Sequence, residues 1–115
     1  MLYNFPIRFK GDDILRYVFP SKQKAVQKTL DLAKKDNRIN KIILFGSAIT
    51  LRCGDTSDID IALDTSSNNE DDFLNIVKPF YREVPSEIDI IHLNTVKSEL
   101  LKKEISKGLC IYAKQ

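Results

Sequence analysis

The 115-residue chain carries 43% hydrophobic and 30% charged residues with four Gly and four Pro, which excludes a disordered chain and predicts one folded domain. That length leaves no room for a second, substrate-binding domain, so any large target is expected to come from a partner or a homodimer. The net charge of +2 divides into +6 over residues 1–57 and −4 over residues 58–115, which reads either as solvated helix faces or as a basic flank beside an acidic, cation-binding half.

Residues 2–9 read as a peripheral strand that Pro6 demotes to an edge or an extended arm. Asp12 and Asp13 are placed to cap a short helix over residues 14–18, which Phe19-Pro20 stops. Residues 1–20 thus form an N-terminal arm or extension, and residues 21–115 the main domain. Ser21 is expected to cap a helix to about Asp36 with Ala25, Val26, Thr29, Leu30 and Ala33 facing inward. Strands follow over residues 41–45, 58–63 and 87–92, with a soft loop at residues 64–69 and a helix over residues 70–81 between the last two. Asn94 or Thr95 should cap a final helix to about Lys107, Gly108 should end it, and residues 109–113 make a last strand. Interleaved helices and strands predict an α/β (α+β) domain, one small mixed β-sheet with helices packed against it.

The longest apolar stretches are strand-length, well under the ~20 residues a membrane span needs, and the first residues lack a basic, apolar leader, so a cytoplasmic location is expected. Cys53 and Cys110 have neither metal-ligand spacing nor a His cluster, and reduced thiols are expected. No dense basic stripe marks a nucleic-acid binder.

The informative stretch is Leu44-Phe45-Gly46-Ser47, then ten residues, then Asp58-Ile59-Asp60-Ile61. A strand that runs into Gly-Ser offers open amides and a hydroxyl to a phosphate, although Gly-Ser also occurs in ordinary turns. Period-two geometry puts Asp58 and Asp60 on one face of their strand and Ile59, Ile61 and Leu63 on the other. Adjacent carboxylates repel, and hard oxygen ligands so spaced suit Mg²⁺; alone, the pair also fits a solvated edge strand. Glu87-Ile88-Asp89-Ile90 repeats the alternation. If that strand pairs with 58–63, Asp89 completes a three-carboxylate cluster able to hold two metals roughly 3.5–4 Å apart for in-line displacement at phosphorus.

Gly46-Ser47, Ser57-Asp58-Ile59-Asp60-Ile61 and the later Asp89 resemble the DNA polymerase beta nucleotidyltransferase superfamily. Over residues 21–113 the chain looks most like its minimal nucleotidyltransferases, small proteins related to the N-terminal domains of aminoglycoside nucleotidyltransferases. The resemblance implies the nucleotidyltransferase fold, and Gly46 and Ser47 as the triphosphate holders. It implies further that Asp58 and Asp60 bind two Mg²⁺ ions, and that Asp89 binds the catalytic metal and helps activate the acceptor hydroxyl. Many relatives have Arg where this chain has Ala48 and Thr50; Arg52 is then either a substitute phosphate contact or a surface residue. Ser57 either orients the carboxylate strand or shapes a turn.

What the resemblance implies for function is transfer of a nucleoside monophosphate, AMP from ATP or another nucleoside triphosphate, to an acceptor hydroxyl. The frequent partner of such proteins is a small helical HEPN-type ribonuclease toxin, and the nucleotidyltransferase, as antitoxin, modifies a tyrosine hydroxyl on it. The alternatives are a catalytically inactive interaction module of the same fold and a small-molecule transferase of the aminoglycoside type. His92 falls on the face opposite Asp89 by strand parity and is expected to be structural. Tyr3, Tyr17, Tyr81 and Tyr112 read as core or rim aromatics, Cys53 as an inert thiol, and Lys34, Lys35 and Arg38 as helix-terminal cations.

Overall fold

Apolar runs and Ile–Asp alternation become four strands in the computed structural model, which describes residues 2–115: β1 (Ile39–Phe45), β2 (Ile59–Thr65), β3 (Ile88–His92) and β4 (Leu109–Ala113). They form one mixed sheet in the order β3-β2-β1-β4, antiparallel at β1–β2 and β1–β4 and parallel at β2–β3. Three α-helices accompany it, α1 (Gln23–Lys34), α2 (Glu70–Glu83) and α3 (Glu99–Ser106). This is the α+β architecture that the alternation of elements predicts.

The two faces of the sheet are treated differently. Ile42 and Leu44 of β1 and Ile59, Ile61 and Leu63 of β2 are fully buried, in one cluster with Ala25, Val26, Leu30 and Ala33 of α1 and Ile76, Val77 and Phe80 of α2. On the other face Ile43, Phe45, Ala62 and Ile91 pack with Leu101 and Ile105 of α3. Eight helical residues make only ~12 Å of α3, whereas the seven residues of β2 run ~23 Å. The second face is therefore only partly covered, and Asp60 and Asp89 lie on it beyond the apolar patch.

The chain ahead of α1 is built into the first core. Residues 2–9 make no strand: Pro6 cannot donate to a ladder, and the segment stays extended, with Phe5 N–H bonded to Arg16 O at 2.7 Å. Fully buried Gln23 holds it there. Its Oε1 accepts from Arg8 and Phe9 N–H at 2.7 and 3.2 Å, and its Nε2 donates to the carbonyls of Pro6, Leu15 and Val18 at 2.9, 3.3 and 3.1 Å. Leu15 and Val18, from a 3₁₀ turn over Asp13–Tyr17 and its end, are fully buried in the α1 core. Replacing Gln23 with Ala removes five bonds to backbone groups at once, of which only Leu15 O keeps another partner, the Val18 N–H, and stability in urea should fall by about 2–4 kcal/mol.

Several boundaries differ from expectation for local reasons. Pro20 starts a 3₁₀ turn through Lys22, so Lys22 rather than Ser21 precedes α1, which ends at Lys34. Asp12 does not cap its turn with its side chain; its carboxylate meets Lys34 Nζ at 2.8 Å, which lowers its pKa. Pro79 lies inside α2, which continues to Glu83, and the Asn75 carbonyl left without its helical donor is on an exposed residue. Ser98, not Asn94 or Thr95, caps α3, its Oγ accepting from Leu101 N–H at 3.2 Å. Asn94 is engaged instead with the end of β2, accepting from Thr65 N–H at 3.0 Å and donating to Thr65 O at 2.7 Å. No helix among the described residues is long and apolar enough to cross a membrane.

Candidate active site

Parallel pairing of β2 with β3 sets Asp60 directly opposite Asp89, between the pairs Ile59↔Ile88 and Ile61↔Ile90. On its other side Asp60 pairs with Phe45, the last residue of β1, so Gly46 and Ser47 follow at once beside it. Asp58 stands immediately before β2, two residues from Asp60 and on the same side by strand parity. Asp58 and Asp89 are exposed and Asp60 is half-buried. Burial, then the negative charges of Asp89 and Asp58, raise the Asp60 pKa above the usual carboxylate value.

Gly46 is required by the turn. Its φ of 78° is the single positive φ among the described residues, and a Cβ built on it would run into Asp60 Oδ2. The backbone then turns through a 3₁₀ segment, Gly46–Ile49, closed by Thr50, whose N–H and Oγ1 both donate to Ser47 O at 2.9 Å. From behind, Phe19 N–H donates to Ala48 O at 2.8 Å. Ala48 is fully buried against the core.

Arg52 lies two residues beyond this turn, exposed, and forms none of the ion pairs found among the described residues. Ser57 shapes a turn: its Oγ accepts from Gly54 N–H at 2.9 Å and its own N–H donates to Gly54 O at 3.1 Å. Cys53 is buried against that turn and Cys110 is exposed on β4; both are free thiols. His92 sits across the sheet from the acids, nearly buried, with Nε2 at 2.9 Å from Thr65 Oγ1 and its ring stacked on Phe73 at 4.2 Å.

The three carboxylates supply oxygen donors only, and their mutual repulsion at Asp60 is what a bound cation relieves. Among the described residues no three His, Cys, Asp or Glu side chains close up into a metal cage. Hard oxygen donors are the kind Mg²⁺ takes, one or two carboxylates with water and substrate phosphate oxygens filling the rest of its shell.

Comparison with known proteins adds a second line. No curated protein sequence matches the chain. Among solved structures, the crystal structure of the toxin-antitoxin MntA-HepT matches with a TM-score of 0.58 at 20% identity, over 80% of this chain and 73% of that one. The tri-AMPylated Shewanella oneidensis HEPN toxin in complex with MNT antitoxin matches with a TM-score of 0.57 at 20% identity, over 82% and 73%. These likenesses establish the fold. Residues 27–115 match the family model described as Polymerase beta, Nucleotidyltransferase, a span that contains the Gly-Ser turn and all three carboxylates. The chain therefore belongs to the polymerase beta nucleotidyltransferase family.

Proposed function

We propose that the protein transfers AMP from ATP, with Mg²⁺, to a hydroxyl on a partner protein, and that the partner is a small helical toxin of the HEPN type. The observation that carries the chemistry is the register that sets Asp60 against Asp89, with Asp58 two residues away and the Gly46–Ser47 turn alongside. In this reading Asp58, Asp60 and Asp89 hold Mg²⁺, which when bound supplies charge neutralisation at the transferring phosphoryl group. Backbone amides at Gly46 and Ser47 and the Ser47 hydroxyl hold the triphosphate, with exposed Arg52, five residues past Ser47, as a further phosphate contact. Asp89, exposed on an edge strand, is the carboxylate best placed to meet an incoming acceptor.

The partner assignment is supported by the solved structures of similar fold, one of which contains an AMPylated HEPN toxin bound to an MNT antitoxin. The chain's own sheet and helices leave the second face open beyond α3, where a protein acceptor has access.

Buried Ala48 favours a second reading, an interaction module that has lost transfer together with the arginine. One titration separates the two. A non-hydrolysable ATP analogue should bind wild type only with Mg²⁺ and should not bind an Asp58→Ala/Asp60→Ala variant. Failure of wild type to bind with Mg²⁺ would leave the interaction module as the better account.

A further inference from the structure

Lys22 is only 5% exposed, an uncommon place for an ammonium, and none of the ion pairs among the described residues includes it. Its Nζ donates to Asp55 O at 3.1 Å and to Ser86 Oγ at 3.2 Å. Asp55 lies three residues before Asp58, and Ser86 three residues before Asp89. One buried cation thus bonds equivalent points on the two loops that lead into the carboxylate strands, within a cavity of about 360 Å³ whose lining includes Ser57 and Glu87.

Past that staple, the link between the loops is Ile59 N–H donating to Glu87 O at 2.9 Å, which opens the ladder that sets Asp60 against Asp89. β3 is five residues long and sits at the sheet edge, so no further strand fixes its position. Lys22 bonds the two loops and none of the three carboxylates, so its link to the acids runs through the loops. It also precedes residue 27, where the match to the family model begins.

We propose that Lys22 is a positioning residue for the transfer site, fixing β2 against β3 at the end that bears Asp58, Asp60 and Asp89. The proposal rests on the reading of those carboxylates as the metal site. Both acceptors of the ammonium lie on loops rather than in the core, and Ser86 Oγ keeps its bond to Glu87 O, so removing the charge leaves the fold intact.

The test uses Lys22→Met, Ser86→Ala and the double variant. Three quantities are read: amide exchange at Ile59 against Leu44 and Leu63, Mn²⁺ affinity by electron paramagnetic resonance, and kcat and KM for ATP. Loss of a charge-assisted bond should speed exchange at Ile59 and weaken Mn²⁺ binding by about tenfold each in Lys22→Met. The kcat should fall by a similar factor while KM for ATP stays within about twofold, as expected when the reacting groups are misplaced. Ser86→Ala should do less, because Lys22 keeps its bond to Asp55 O, and the two changes together should cost less than the sum of the single ones, because both remove the Lys22–Ser86 bond. Wild-type exchange and metal affinity in Lys22→Met overturn the proposal, as does acceleration at Ile59 matched by Leu44 and Leu63, which would make Lys22 a general structural group. A wild type that binds no Mn²⁺ overturns the site reading and this proposal together.

Discussion

Asp60→Asn should abolish nucleotidyl transfer and at the same time raise the melting temperature of the metal-free protein. Asp60 is the middle carboxylate of the three, half-buried, with Asp89 across from it and Asp58 two residues away. In the proposed mechanism it is a metal ligand, and loss of metal stabilisation worth several kcal/mol lowers the rate by about 10³-fold or more. Without metal the same position is a liability. Burial and two like charges raise the folded pKa above the unfolded one, so between those two values the native state holds more protons than the unfolded state. Stability from this group is therefore fully present below the ordinary Asp pKa and falls as pH rises through the raised value. At neutral pH the ionised side chain opposes folding, and a neutral amide of the same shape removes that cost.

Melting curves of wild type and Asp60→Asn from pH 4 to pH 8 check this directly. The variant should gain its advantage as pH rises, and saturating Mg²⁺ should restore wild type while leaving the variant unchanged. A ligand at 100 times its dissociation constant contributes about 2.7 kcal/mol, enough to see in such a comparison. A variant less stable than wild type at neutral pH, or one stabilised equally by Mg²⁺, would contradict the account.

Gly46→Ala should lower transfer by about 10²-fold and stability by about 1–2 kcal/mol, for two reasons that act at one atom. An L side chain at φ 78° carries the left-handed penalty. The added methyl also falls on Asp60 Oδ2, so either the turn or the carboxylate must move. A displacement of ~1 Å at a reacting group is enough for the loss of rate. Urea unfolding and initial rates read stability and transfer separately, and addition of Asp60→Asn tests whether the carboxylate charge contributes to the cost. In that double variant the stability cost of Gly46→Ala should persist, since strain and steric overlap remain when the carboxylate becomes an amide. An activity close to wild type in Gly46→Ala would show that neither the turn nor the carboxylate position limits transfer.

Local pattern determined much of this protein. Period-two alternation of Ile and Asp found β2 and β3 to within a residue at their starts, predicted which side chains enter the core, and placed His92 opposite the acids, because strand geometry fixes the face of each residue. The 3.6-residue spacing of Ala25, Val26, Thr29, Leu30 and Ala33 likewise defined the inner face of α1. Caps were less legible, since Ser21, Asn94 and Ser98 are all competent and the choice fell to the one not already engaged elsewhere: Pro20 set a tighter turn around Ser21, and the end of β2 took Asn94. The arm was legible as an edge strand or an extended segment but what holds it was not, as its backbone bonds go to Gln23, a polar residue that helical periodicity assigns no special role.

What only the tertiary structure decided was partnership across the sheet. Motif spacing offered Asp89 as a third carboxylate on the condition that its strand pairs with that of Asp58 and Asp60. The condition is met because β3 adds in parallel to the free edge of β2 after the α2 crossover, in a register that sets Asp60 beside Asp89. Two further facts depended on packing. Ala48 of the turn after β1 is buried in the core, and burial of Lys22 ties two loops that are 31 residues apart in sequence. Sequence fixes which face a side chain takes within its own element, since that depends on backbone geometry alone; which residues from different elements meet depends on how the whole core closes.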